Sequence, residues 1–266
     1  MTVLIHELRM NKTALIIWSC AISFMLGVCI IIYPEMSTQM NEVSAMFSEM
    51  GAFSSAFGMD QLNFGEFMGY FAIECGNVLG LGGALFAAIT GASALAKEEK
   101  EHTAEFLLAH PLSRKRIITE KLFSTIVQVF ILNVAVIAVT TVCILTVDVA
   151  ADVTTLVLVF LAYLVLQLEI AAVSFGVSAF MRRGAMGAAL GFVFATYFLN
   201  ILSNLTEDLE FLKFITPFGY TDGSYIIPEE ALEIKYLAVG LVITAIGIAA
   251  AYWKYTKKDI VRQICI

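Results

Sequence analysis

Four polar side chains interrupt long apolar stretches of the sequence. They are Glu74, Asn77, Gln167 and Glu169. A charged side chain at the centre of a membrane helix costs about 3 kcal/mol on insertion scales, so such residues usually face the protein interior or a wet path. Glu169 is therefore expected to have a hydrogen-bond partner or to stay protonated, and Gln128, Asn133 and Asn77 are its candidate partners. Two interpretations stay open for this set: residues that line a transport path, or polar groups with a structural role.

The remaining reactive side chains do not indicate catalysis. The histidines His6, His102 and His110 are scattered, and the sequence contains neither an HExxH motif nor a GxxxxGK[ST] phosphate loop. The five cysteines are expected to be free thiols, since four of them lie within apolar runs. The chain is therefore not expected to be an enzyme by itself or to bind a metal or nucleotide cofactor. An intramembrane enzyme is the weakest alternative.

The composition is that of an integral membrane protein. Of the 266 residues, 59% are hydrophobic and 15% are charged, and the mean hydropathy is +0.85. A soluble domain of this length has no core large enough to bury so much apolar surface. The formal net charge of −7 argues against a nucleic-acid partner. We expect one all-α transmembrane domain over residues 1–266, because lipid offers no partner to unpaired backbone groups.

Six apolar runs are long enough to cross a bilayer, which takes about 20 residues. Their predicted bounds are 14–33, 70–96, 122–147, 153–181, 185–202 and 236–252. Two of the runs carry glycines four residues apart, Gly76 with Gly80 and Gly187 with Gly191. Such pairs permit close approach of helices. The approach could occur within one chain or between two subunits.

Basic residues concentrate in alternate connections between these spans. They are Arg9, Lys12, Lys97, Lys100, Arg114, Lys115, Arg116, Lys121, Arg182, Arg183, Lys254, Lys257, Lys258 and Arg262. The other connections carry only Lys213 and Lys235 together with most of the acids. The positive-inside rule therefore predicts a multi-pass protein of the plasma membrane with both termini in the cytoplasm.

Segments beside the spans are also predicted to be helical. Residues 1–12 are interpreted as a short amphipathic helix, with Val3, Leu4 and Leu8 against the membrane. The acidic segment 34–69 is expected to hold one or two amphipathic helices on the outer surface. A further surface helix is expected near Leu209–Ile215.

The segment 97–121 is a charged island between the second and third spans. Apolar Ala104, Leu107 and Leu108 have helical spacing, which predicts a helix over about 97–110. Pro111 ends that helix, and Ser113 is expected to cap the start of the next one. A structured, charged piece at one membrane face is well placed to contact a soluble partner.

This island resembles the coupling-helix signature of ABC-2 type (type V exporter-like) ABC transporter permeases, E-x-G-T-x-E-x-L-L-x-x-P-x-S-R followed by K-L. The matching residues here are Glu98, Glu99, Thr103, Ala104, Glu105, Leu107, Leu108, Pro111, Ser113, Arg114, Lys121 and Leu122. The first span's opening and the basic C-terminal tail are also similar to this family, and within it to NosY-like permeases. His102 stands where the family usually has Gly, and Glu120 stands where a Gly often precedes the Lys.

The resemblance implies a separate ATPase subunit, which holds ATP and Mg and contacts the coupling helix. The implied contact residues are Glu98, Glu99, Thr103, Glu105, Leu107, Leu108 and Arg114. The family also pairs two permease subunits, alike or similar, in the lipid bilayer. The resemblance thus implies an exporter, here expected to be bacterial and to carry an amphipathic substrate such as a peptide.

Two other classes of function stay open at this stage. A membrane sensor or immunity component could use the same ATPase contact without moving a cargo. An ATPase-independent carrier would be expected to show inverted repeats and more charge within its spans, and the sequence shows no clear repeat. A neighbouring gene with ATPase motifs would favour the ABC transporter.

Overall fold

The computed structural model describes residues 2–49, 62, 63, 65–100, 113–181 and 184–257, with backbone alone for 2, 38–49, 97–100 and 207. Every regular element within these ranges is a helix, and six helices are long and apolar enough to cross a membrane. The predicted all-α, six-span fold is therefore confirmed.

The first span belongs to a much longer helix than the sequence predicted. Helix α1 (Thr2–Glu49) has 48 residues and contains Pro34 in its interior. The separate surface helix expected over 1–12 is wrong, because residues 2–12 form the first turns of α1 and Val3 is buried in the protein rather than facing lipid. Proline removes one intrahelical hydrogen bond, but membrane helices tolerate it where the freed backbone group finds another partner. The outer segment expected from residue 34 therefore begins as a continuation of α1.

The second span is one continuous helix with a wide turn in it. It consists of α2 (Phe67–Cys75), a π-helical turn (Gly76–Leu81) and α3 (Gly82–Lys100). Gly76 and Gly80 lie against Tyr163, where an added Cβ would come within 2.9 Å of the tyrosine side chain. The turn and its glycines thus make room for the tyrosine ring, and this glycine pair packs within the chain.

The third and fourth spans begin with side-chain caps. Helix α4 (Arg114–Val147) starts at Ser113, whose Oγ accepts from the backbone N–H of Arg116 at 3.3 Å, so the predicted cap is confirmed. Helix α5 (Val153–Phe180) starts at Asp152, whose carboxylate accepts from the N–H of Thr155 at 2.6 Å. Each cap satisfies a backbone donor that the helix itself leaves unpaired.

The last two spans enclose a folded segment. Helix α6 (Ala185–Ser203) is followed by 3₁₀ turns at Glu207–Phe214 and Gly219–Thr221, by the short α7 (Gly223–Glu229) and by α8 (Ile234–Lys257). The helix expected near Leu209–Ile215 exists as a 3₁₀ helix rather than an α-helix. We call residues 204–233 the folded connection.

Helices α3 and α5 form the centre of the bundle, and α1 packs along α4. Helices α6 and α8 lie at the periphery and expose most of their apolar surface, including Phe198 and Ile246. The connections between the spans lie alternately at two ends of the bundle, which we call the basic end and the acidic end. The basic end holds the starts of α1, α4 and α6 and the last turns of α3, α5 and α8; the acidic end holds the folded connection.

Candidate functional site

The structure describes only the flanks of the predicted ATPase contact. Glu98 and Glu99 belong to the last turns of α3, where the backbone alone is described. Thr103, Glu105, Leu107 and Leu108 lie outside the described residues. Arg114 is the first residue of α4. The role of these residues in docking stays a prediction.

Glu169 is a buried carboxylate in the interior of the bundle. Its side chain is 3% exposed, and its Oε2 accepts a hydrogen bond of 2.9 Å from the hydroxyl of Tyr220. The expected partners Gln128, Asn133 and Asn77 are wrong, because the partner comes from the folded connection. Gly240 of α8 leaves the space that the carboxylate occupies, since a Cβ there would overlap Glu169. Three parts of the chain therefore meet at this one acid.

Gln167 lies two residues before Glu169, on the opposite side of α5, and joins three helices. Its Nε2 donates to the backbone oxygen of Leu79 at 3.3 Å, and its Oε1 accepts from Nδ2 of Asn133 at 2.6 Å. Leu79 lies in the π-helical turn, where the usual intrahelical hydrogen-bond pattern is interrupted. Gly83 gives the amide its space, because any Cβ there would overlap Gln167. The amide thus fixes the wide turn against α4 and α5.

The other two predicted polar residues lie elsewhere. Asn77 is exposed and its Oδ1 accepts from the hydroxyl of Tyr197 at 3.4 Å, while Oε2 of Glu74 accepts from the thiol of Cys29 at 3.6 Å. Among the described residues, no hydrogen bond joins any two of Glu74, Asn77, Gln167 and Glu169. The four therefore do not form one site.

A cavity of about 90 Å³ lies between the π-helical turn and the folded connection. Its polar lining comes from seven residues: Asn77, Tyr163, Tyr197, Asn200, Asn204, Thr221 and Asp222. The hydroxyl of Tyr163 donates to the backbone oxygen of Thr221 at 3.4 Å. This volume holds a few water molecules or a small polar group, and it is far smaller than the pockets of drug-sized ligands.

The tyrosines of this region were missed from the sequence. Tyr163 and Tyr197 lie in apolar runs, where a tyrosine ring is as compatible with a membrane core as with a polar contact. Tyr220 lies in a connection that was expected to stay on the surface. The available signal was the glycine pair in the second span. Two glycines facing one side chain of another helix indicate a bulky partner, but the sequence alone does not say which one.

Metal and thiol chemistry are not indicated by the described residues. Cys20, Cys29, Cys75 and Cys143 are free thiols there. Within the same part of the chain, no three His, Cys, Asp or Glu side chains are placed to hold a metal ion. The buried groups Glu169 and Gln167 instead pair with tyrosine, amide and backbone groups. Such an arrangement can fix or switch helix packing.

The six helices that are long and apolar enough to cross a membrane define a multi-pass membrane protein, and buried hydrogen bonds of Gln167 and Glu169 join some of these helices to each other and to the folded connection. The family model described as "ABC-2 family transporter protein" matches residues 1–260, so the chain belongs to that family. It is thus a membrane permease component of an ABC transporter and is not itself catalytic. No curated protein sequence matches the chain.

Proposed function

We propose that this chain is one permease subunit of a NosY-like ABC exporter, in which a separate ATPase binds ATP and Mg and drives the transport of an amphipathic substrate. The observation that carries the proposal is the position of the coupling motif. The residues that flank it, Lys100 and Ser113, are the end of α3 and the cap of α4, both at the basic end. A charged segment held between two membrane helices at one face is suited to receive a soluble partner.

The basic end is proposed to face the cytoplasm. Its basic connections and the acidic folded connection support this orientation through the positive-inside rule. Both termini then lie in the cytoplasm, and the membrane is the plasma membrane of a bacterium. In a cysteine-free background, an impermeant maleimide should label Glu230→Cys in intact cells and Ser113→Cys only after permeabilisation. Labelling of Ser113→Cys in intact cells would reverse the orientation.

The permease is proposed to work with a second permease subunit, most simply another copy of itself. Helix α6 supports this, because Cβ atoms added at Gly187 and Gly191 would meet nothing within 4 Å. Small residues that remain uncovered on a membrane helix permit another helix to approach closely. The transport path would then lie between the two subunits, with a peptide as the favoured cargo.

A sensor or immunity component without cargo is the second candidate. It is compatible with the cavity of about 90 Å³ within this subunit, which is too small for a peptide, so that a peptide cargo would need a path between two subunits. A vesicle assay separates the two functions. The purified complex in proteoliposomes should move a labelled amphipathic peptide on ATP addition if it is an exporter. ATP hydrolysis that responds to the peptide without peptide movement would favour the sensor.

The ATPase contact is tested by charge reversal. The double variant Glu98→Lys/Glu99→Lys should insert normally but recover at least about tenfold less ATPase subunit when the tagged permease is purified from its native host, since charge complementarity governs such docking. The matched control, Glu229→Lys/Glu230→Lys, reverses two exposed acids at the opposite end of the bundle. Equal recovery of the ATPase with both variants would contradict docking through Glu98 and Glu99.

A further inference from the structure

A buried lysine joins three helices at the basic end. Lys121 is 1% exposed, and its Nζ donates to Oε1 of Glu7 at 2.7 Å and to the backbone oxygen of Ala94 at 2.7 Å. These partners belong to α1 and α3, while Lys121 belongs to α4. Removing one partner of a buried ion pair leaves an uncompensated charge, so the contact strongly favours one arrangement of the three helices. We call Lys121, Glu7 and the Ala94 carbonyl the lysine junction.

The neighbouring residue Glu120 holds the first turn of α1. Its Oε2 accepts from the backbone N–H groups of Val3 at 3.0 Å and Leu4 at 3.3 Å. Free N–H groups at a helix start carry partial positive charge and are stabilised by a carboxylate. Arg116 donates to the other oxygen of Glu120 at 3.0 Å and so orients it. Two consecutive residues of α4 therefore fix the beginning of α1.

The lysine junction lies at the base of the coupling segment. Ala94 is in the last turns of α3, just before residue 97, and Lys121 is about two turns into α4, just after the segment returns. The ammonium group of Lys121 therefore connects α3, which enters the coupling segment, with α4, which leaves it. Its side-chain partner, Glu7, is on α1, which continues without a break to Glu49. A helix of 48 residues is about 70 Å long, more than a bilayer thickness.

We propose that the lysine junction transmits movement of the coupling segment to α1, and that Lys121 is the positioning residue of this transmission. This inference rests on the proposed ATPase contact. When the ATPase moves residues 97–113, the base of the segment moves with Lys121, and the ion pair moves the start of α1. Since α1 is a single helix, movement of its start also displaces the part of α1 that lies at the acidic end. The first two turns of α1 thus act as part of the coupling machinery and not as a membrane-surface anchor.

The test measures nucleotide-dependent change at the far end of α1. Met36 is 38% exposed near the acidic end, so Met36→Cys in a cysteine-free background can be labelled with a maleimide in the purified permease–ATPase complex. The ratio of labelling rates with ATP and vanadate to that without nucleotide reports the response of α1. Allosteric coupling typically corresponds to about a 5–150-fold effect, and we expect Lys121→Met to bring the ratio close to one. Lys115→Met, an exposed lysine of the same helix, should keep the wild-type ratio.

Conservative variants separate transmission from folding. Glu7→Gln keeps an oxygen that can accept from Lys121 but removes the charge, and we expect an intermediate ratio with normal ATPase binding. This variant decides the question if Lys121→Met does not assemble: a wild-type ratio in Glu7→Gln would then overturn the proposal. A wild-type ratio in a well-assembled Lys121→Met complex, or a wild-type complex without any nucleotide response at Met36→Cys, would overturn it too. If the wild-type permease recovers no ATPase at all, it is the proposed function that fails.

Discussion

Tyr220 donates a 2.9 Å hydrogen bond to Oε2 of Glu169, and both side chains lie against Gly240. Tyr220 is 1% exposed and belongs to a 3₁₀ turn of the folded connection, whereas Glu169 belongs to the central helix α5. This pair connects the acidic-end connection to α5 and α8 through a single polar contact. Opening of the bundle at that end would have to break it.

Replacing Tyr220 by Phe should therefore destabilise the folded permease. The variant keeps the ring but leaves a buried carboxylate oxygen without its donor, which costs about 1–3 kcal/mol. Glu169→Gln should be tolerated better than Glu169→Leu, because glutamine still accepts from the tyrosine. Thermal unfolding of the detergent-purified permease measures the order, with Tyr225→Phe of the same connection as control. Equal stability of wild type, Tyr220→Phe and Glu169→Leu would show that the contact does not hold the connection.

A functional role for Glu169 would appear in transport rather than in stability. If Glu169→Gln folds normally and abolishes ATP-driven transport, the ionisable group itself is required. If Glu169→Gln transports normally and Glu169→Leu unfolds, the role is structural.

Two glycines on different faces of the bundle should respond to alanine in opposite ways. A Cβ at Gly91 would overlap the backbone oxygen of Ala171 and lie 3.1 Å from the N atom of Phe175, and a backbone cannot move aside as a side chain can. We expect Gly91→Ala to cost about 1–3 kcal/mol of stability, the usual range for overpacking. Gly187→Ala meets open space and should be neutral or stabilising by up to about 1 kcal/mol. Thermal unfolding in detergent measures the stability of both variants. Equal losses of stability for Gly91→Ala and Gly187→Ala would contradict the close packing described at Gly91.

The spans could be predicted from the sequence to within a few residues at most boundaries, since the length of an apolar run reflects the thickness of the bilayer. Ser113 could be identified as a cap because its chemistry is local. The start and end of α1 could not be predicted, because no local signal shows that residues 2–12 are held by contacts with Glu120 and Lys121 of the distant helix α4. The π-helical turn was equally hidden, since it depends on the fit of Tyr163 from α5.

The polar core could be predicted only in part. Glu169 could be identified from the sequence because a carboxylate in an apolar run is costly to place in lipid and is therefore expected to be buried in the protein. Its partner did not stand out, because Tyr220 lies far along the chain in a segment expected to stay on the surface. Lys121 was counted with the basic residues that orient the protein, and only tertiary structure distinguishes a buried lysine from a solvated one. Side-chain type can be read locally, whereas partner choice is a property of the fold.

The capping carboxylate of Asp152 should make stability depend on pH. Hydrogen bonds from the hydroxyl and the backbone N–H of Thr155 hold the pKa of Asp152 below its ordinary value. Because the pKa is lower in the folded than in the unfolded chain, the contribution is complete above the unfolded pKa of about 3.9 and is lost as the pH falls through the folded pKa. Asp152→Asn, which still caps but does not titrate, should flatten this acid loss of thermal stability. Asp148→Asn is the control, and an unchanged acid slope in Asp152→Asn would contradict the assignment.

The uncovered face of α6 should be where a second permease subunit packs. Gly187, Gly191 and Ala195 are exposed at four-residue spacing, and leucine at the central position would keep two helices from approaching closely. We expect Gly191→Leu to reduce the dimer fraction of detergent-purified permease by about tenfold while its thermal stability as a monomer stays unchanged, because the side chain meets no neighbour within the chain. Ala245→Leu places the same side chain on the exposed face of α8 and should leave the dimer intact. Multi-angle light scattering measures the subunit mass of each variant. A dimer that survives Gly191→Leu and dissociates with Ala245→Leu would move the subunit contact from α6 to α8.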